Sequence, residues 1–124
     1  MSRSQRGQAT VELALCLPVV VILVAFVIEA GMIAVDQVRL WHATREAARI
    51  AAVDPETATI ERAAATAGLR GIEVRVEPAE QNRRVGEPVT VSLLYSPPGR
   101  LPFVGRMLDD IELSARVVAR IEQP

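Results

Sequence analysis

Two carboxylates stand where carboxylates are costly. In the stretch RGQATVELALCLPVVVILVAFVIEAGM, residues 6–32, Glu12 lies at the lip of an apolar run and Glu29 near its far end. A charged group in lipid needs a counter-charge or hydrogen-bond donors, so each acid implies a partner. For Glu12 the spacing names one. If the chain is cut after Gly7, Gln8 becomes the new N-terminus and Glu12 follows four positions later, placed to pair with the free α-amine of a neighbouring chain. The plainer alternative is a flexible Gly7 and an acid that gains about 0.3–1 kcal/mol from the helix dipole. Glu29 lies about 9 Å along a helix from Val35. It either snorkels to the interface or meets a partner helix across the small residues Ala30, Gly31 and Ala34. Pro18 removes one helical N–H and crowds the carbonyl of Ala14. It is either an ordinary membrane-helix proline or a soft spot where the helix bends in a bundle.

Other chemistry is sparse. His42 is the single histidine, so no histidine-based metal cluster forms within one chain. Cys16 is the single cysteine, which rules out an intrachain disulfide and fits a small hydrophobe in an apolar run. There is no glycine-rich phosphate loop and no nucleophile–base pair. Aromatic residues make up 3% of the chain, too few to line a large ligand pocket, and the net charge of −1 gives no bulk attraction to nucleic acid. We therefore expect no enzyme activity, no cofactor, no metal, no nucleic acid and no small-molecule substrate.

The elements that hold the two acids follow from periodicity. Between Leu13 and Val35, Glu29 is the only charged residue. That stretch makes about 35 Å of helix, against a hydrocarbon core of about 30 Å. A secretory signal peptide is the rival, with Arg3 and Arg6 as its basic region. The run is longer than the usual ~7–15 residues of such a peptide and lacks a clean cleavage site after it. A retained membrane helix is the better reading. Beyond it, Ile33, Leu40, Ala43, Ala47 and Ile50 continue one helical stripe, with Asp36, Arg39, Arg45, Glu46 and Arg49 largely on other faces. One helix is thus expected from about Ala9 to about Val53, apolar all round at first and then amphipathic. Arg45 and Arg49, one turn apart, either stay solvated or touch an assembly partner or lipid headgroups. Trp41 is either an interfacial aromatic or part of the core.

The remaining chain must cover that amphipathic half. DPET, 54–57, stops the helix and starts another, with Asp54 as N-cap and Pro55 as first residue, running from Thr57 to Ala67 and burying Ile60, Ala64 and Leu69. The period then drops to two. IEVRVEP, VTVSLLY and IELSARVVARIE each alternate apolar and polar residues, which predicts three strands of an antiparallel sheet with one wet face. NRRVGEP, 82–88, is a turn, and SPPGRLP, 96–102, a proline-rich loop. Leu101, Phe103, Val104, Met107 and Leu108 are expected to cap the core. The fold class is therefore α+β: a long N-terminal helix, transmembrane then amphipathic, plus a short helix packed on a small three-stranded antiparallel sheet. The expected organisation is a short basic leader at 1–7, a transmembrane helix at 8–35, its amphipathic extension at 36–53, and a small extracytoplasmic head at 54–124.

Together these residues resemble the TadE-like family, pseudopilin-type proteins of the tight adherence (Flp) pilus assembly system. The resemblance rests on Arg6–Gly7, on Glu12 as fifth residue after a cut, and on Leu17–Pro18. It also rests on Glu29 to Gly31 and on Arg45-Glu46-Ala47-Ala48-Arg49. It is strongest over 6–53 and implies a pilin-like fold. It implies cleavage by prepilin peptidase between Gly7 and Gln8 on the cytoplasmic face. The N-terminus is then cytoplasmic and the head outside the membrane. It further implies a role for Glu12 in processing or subunit pairing, and partners among other pilin-like or Tad assembly subunits besides the lipid bilayer. Leu13 stands where Flp-type pilins often carry Tyr or Phe, which favours a minor pseudopilin over a major fibre subunit. Two alternatives stay open on the residues alone. One is a single-span anchor whose head binds an envelope ligand. The other is a small secreted protein released by signal peptidase near Ala30 to Val35.

Overall fold

A computed structural model of the chain describes residues 3–122. Residues 1 and 2 of the expected leader, and 123 and 124 of the expected head, lie outside the described residues.

A single helix, α1 (Arg3–Val53), carries the whole apolar run and its amphipathic continuation and passes through Pro18 without interruption. It starts six residues before the expected Ala9, because between Arg3 and Ala9 only Gly7 disfavours helix. It ends at the expected Val53. Asp54 and Pro55 follow, and the residue before a proline is biased out of the helical region.

A short helix, α2 (Thr57–Ala65), comes next, with Ile60 and Ala64 buried. Its capping differs from expectation. The N-cap is Glu56, which makes no side-chain cap bond. The Asp54 carboxylate instead accepts from the Glu56 N–H at 3.1 Å, forming a local turn. The orphan N–H of Thr57 donates to Glu80, 3.0 Å away and 23 residues later. Glu80 stands in the short 3-10 turn Glu80–Asn82, so α2 is capped from the far side of the first strand. Arg83 fastens the same corner by donating to the carbonyls of Pro78 and Pro55.

Three strands follow, β1 (Glu73–Glu77), β2 (Pro88–Tyr95) and β3 (Leu113–Arg120), in one antiparallel sheet of order β1-β2-β3. Register puts Val76 opposite Val91, and Val91 opposite Val117, so one face is apolar throughout. Val89, Val91, Leu93, Tyr95, Leu113 and Ala115 on that face are buried. They meet Leu40, Ala43, Ala47, Ala48 and Ala51 of α1, and Ile60 and Ala64 of α2, in one core. Alanines on α1 let the helix lie close against the sheet. The architecture is α+β and pilin-like, as expected from the sequence.

Two assignments along α1 are corrected. Asp36, expected on an outer face, is 1% exposed, and Ile50, expected on the stripe, is only half-buried while Ala51 is fully buried. The centre of the buried face runs through 29, 33, 36, 40, 43, 47 and 51, with Ile33 only partly buried, and Thr44 and Ala48 are buried beside it. These steps of three and four residues give a single face.

Candidate functional site

The far end of α1's apolar run and the proline-rich loop form one polar clasp. The loop leaves β2 at Ser96, buries Pro97, and turns back at a one-turn helix, α3 (Val104–Met107). Gly99 and Gly105 lie backbone against backbone across the loop. A Cβ added to either would stand 2.8 Å from the other's main chain. Residues 100 and 101 follow directly after Gly99 in that close-packed loop. The Glu29 carboxylate accepts from the Arg100 N–H at 3.0 Å and from the Leu101 N–H at 3.2 Å. Two turns further along the stripe, Asp36 accepts from the Arg100 guanidinium at 2.6 Å. That bond, first among the effects acting on it, holds the Arg100 proton more tightly than usual. Glu29 is 1% exposed and its hydrogen bonds are met within its own chain. Among the described residues no buried side-chain N or O lacks a partner.

The clasp sets the head against the membrane-spanning candidate. Its opposite end is fixed at Ala52, whose carbonyl accepts from the Glu122 N–H at 2.7 Å. Glu29 to Ala52 is about 35 Å of helix. The head therefore runs along the second half of α1 and begins at Glu29, inside the 8–35 segment expected to cross the membrane. Before Glu29, α1 touches little else. Every described side chain from Arg3 to Ile28 is exposed except the half-buried Ala25. By length and composition this helix is long and apolar enough to cross a membrane, and its most apolar stretch is not buried within the protein.

The other expected site residues lie apart from the clasp. Gly7 and Gln8 are exposed on the first turns of α1, and a Cβ at Gly7 would meet nothing within 4 Å. Glu12 is exposed too and accepts from the Gln8 side-chain amide at 3.3 Å, one turn back on the same face. Pro18 is exposed on the uncovered first half of α1. Arg45 is exposed, and Arg49 makes a two-point bond to Glu46, at 2.6 and 3.0 Å, on the outer surface. That bond lowers the Glu46 pKa and raises that of Arg49. His42 and Cys16 are exposed. Among the described residues no group of His, Cys, Asp or Glu is placed to hold a metal ion.

Sequence reasoning missed Asp36 and Arg100 as members of the clasp. A signal for Asp36 was present: carrying the stripe from Leu40 back by steps of four and three lands on Asp36, Ile33 and Glu29. Nothing local marks Arg100, which reaches Asp36 across 64 positions. The expected cap of five loop residues is corrected as well. Val104 is buried and Leu101 and Leu108 are half-buried, whereas Phe103 is 82% and Met107 76% exposed. Trp41 is 39% exposed and lines a shallow hollow with Ser92, Ser114 and Arg116 at the β3 edge.

Residues 7–49 match the family described as TadE-like protein. The match opens at Gly7, covers the apolar half of α1 and both acids of the clasp, and stops before the sheet. No curated protein and no solved structure matches the chain.

Proposed function

We propose, on the premise that residues 7–49 match the TadE-like family, that the chain is a TadE-like minor pseudopilin. It is a single-span membrane protein that supports assembly of a Tad/Flp-type pilus or a related secretion apparatus. The observation that carries the reading is the division of α1. An apolar, wholly uncovered first half continues without a break into a second half that belongs to a folded head. An uncovered apolar helix of that length needs lipid or other apolar helices around it.

The mechanism is lateral association, without catalysis by this chain. The N-terminus is cytoplasmic and the head extracytoplasmic. Prepilin peptidase cuts between Gly7 and Gln8, which are exposed and open to it. The cut leaves a new α-amine at Gln8, one turn from Glu12. The exposed Glu12 carboxylate then pairs with the α-amine of an adjacent pilin-like subunit, which brings two helices into register. Pro18 lets the helix adapt within the bundle. Arg45, on the open face of the second half, contacts an assembly subunit or headgroups, and Arg49 does so once released from Glu46. The clasp argues for a retained helix. Cleavage by signal peptidase near Ala30 to Val35 would detach Glu29 from Arg100 and Leu101 and cut the buried stripe at its start.

Mass spectrometry of the protein from cells with and without the prepilin peptidase tests this reading. The expected result is a mature chain beginning at Gln8 that is lost without the peptidase and lost on Gly7→Val. An unprocessed N-terminus in all three cases contradicts the processing step.

A further inference from the structure

We propose that the turn carrying Phe103 and Met107 is a second membrane contact, its two apolar side chains seated in the leaflet on the head's side, next to α1. The inference rests on the reading of α1's first half as the membrane span.

Depth is the first argument. Glu29 holds the main chain of Arg100 and Leu101 at hydrogen-bond distance, so the loop lies level with residue 29. On the face of α1 turned away from the head, exposed apolar side chains continue to Val35 and Val38. From Glu29 to Val35 is about 9 Å, and the polar layer on each side of a hydrocarbon core is roughly 5–8 Å thick. A helix inserted as far as Val35 therefore carries the loop down to the acyl boundary. Interfacial elements bury their apolar faces by about 5–10 Å at that boundary.

Chemistry agrees with that depth. Phe103, the N-cap of α3, and Met107, its last residue, are both exposed, whereas Val104 between them is buried and Leu101 and Leu108 are half-buried. Phe103 has φ 67°, a left-handed conformation that a bulky side chain seldom adopts, and that backbone accompanies a ring 82% exposed. The Gly99–Gly105 backbone contact fixes the turn. The polar groups nearest the lipid are already matched, the two N–H groups by Glu29 and the Arg100 side chain by Asp36. Arg106, Asp109 and Asp110 on the same segment are exposed and unsuited to the hydrocarbon, which limits the insertion to the ring and the thioether. Other exposed apolar residues of the head do not share this placement. Val85 adjoins Gly86, which bonds to Ile121 near the Ala52 level, about 35 Å along α1 from Glu29.

The test uses the full chain with Trp41→Phe, reconstituted in phosphatidylcholine vesicles with bromines at shallow or deep acyl positions. A single tryptophan is placed by Phe103→Trp, Met107→Trp, Leu23→Trp or Val85→Trp. The expected result is a blue-shifted emission for Phe103→Trp and Met107→Trp, quenched most by shallow bromines and unchanged when the protein is diluted in lipid. Leu23→Trp should be quenched by deep bromines and Val85→Trp by neither. If Leu23→Trp is quenched while both loop probes stay unquenched, the inference is overturned and the span stands. If Leu23→Trp is also unquenched, the span reading fails and takes the inference with it. A loop-probe shift that disappears on dilution means a second copy covers the turn, which overturns the inference as well.

Discussion

The two halves of α1 are built from one unbroken helix and differ in what covers them. From Arg3 to Ile28 nearly every side chain is exposed, and the apolar ones form no stripe because they occupy all faces. From Glu29 onward one face is buried and the others carry Gln37, Arg39, Arg45, Glu46 and Arg49. The first pattern is stable only if apolar material surrounds the helix. The second is the ordinary one of a helix against a sheet. The change falls at a pair of acids, Glu29 and Asp36, on the first turns of the buried stripe. Acids there would be costly against an apolar sheet. They are accommodated because the loop brings two N–H groups and a guanidinium to them.

The comparison breaks most visibly at matched leucines. Leu40 is 0% exposed in the core and Leu23 is 61% exposed. Leu40→Ala should destabilise the head by about 2–5 kcal/mol, while Leu23→Ala should leave its unfolding midpoint in detergent within about 0.5 kcal/mol of the original. Denaturant unfolding followed by Tyr95 and Trp41 emission reads both. Equal losses would mean that the first half packs on the head after all. A middling effect is expected at the junction. Glu29→Ala leaves the Arg100 and Leu101 N–H groups without their acceptor and should cost about 1–3 kcal/mol. Amide exchange should accelerate at 100 and 101 and stay unchanged at the Ala52–Glu122 end. The smallest effect is acid sensitivity, and it belongs to the head's half. Hydrogen bonds from Thr57, its hydroxyl first and its N–H second, hold Glu80 below the ordinary carboxylate range, as the Arg49 bond does for Glu46. A depressed folded pKa contributes stability that is present above the unfolded value near 4.5 and disappears as pH falls through the folded value. Both groups are exposed, so the slope is shallow, and Glu80→Gln should flatten it further in a pH series of unfolding midpoints.

Much of this was legible in the sequence because it is local. The apolar run, the stop at Asp54–Pro55, and the alternation of Val89, Val91 and Leu93 each depend on neighbours within a few positions. The three strands and both main helices follow from such patterns. The clasp does not. Glu29 and Asp36 read as acids of ambiguous purpose until the loop arrives from about seventy residues away, and the closeness of Gly99 to Gly105 depends on how that loop folds. The cap of α2 was misplaced for the same reason. Asp54 has the right type and position, yet Glu80 supplies the bond. The outward turn of Phe103 was hidden by composition, since LPFVGRML is apolar enough to look like core. The proposed cut between Gly7 and Gln8 rests on spacing and family resemblance alone, for an exposed first turn of helix carries no packing signature.

Cys16 offers the most direct measurement. It is the chain's only cysteine and lies exposed on the uncovered half of α1. In native membranes a membrane-impermeant maleimide should leave Cys16 unlabelled and label it fully once the lipid is stripped with dodecyl sulfate. A Val85→Cys variant should be labelled once under both conditions when added to the extracytoplasmic side, with Cys16 replaced by Ser. Protection of Cys16 in the membrane alone is the result expected of a lipid-covered first half. Rapid labelling of Cys16 in intact membranes would contradict it.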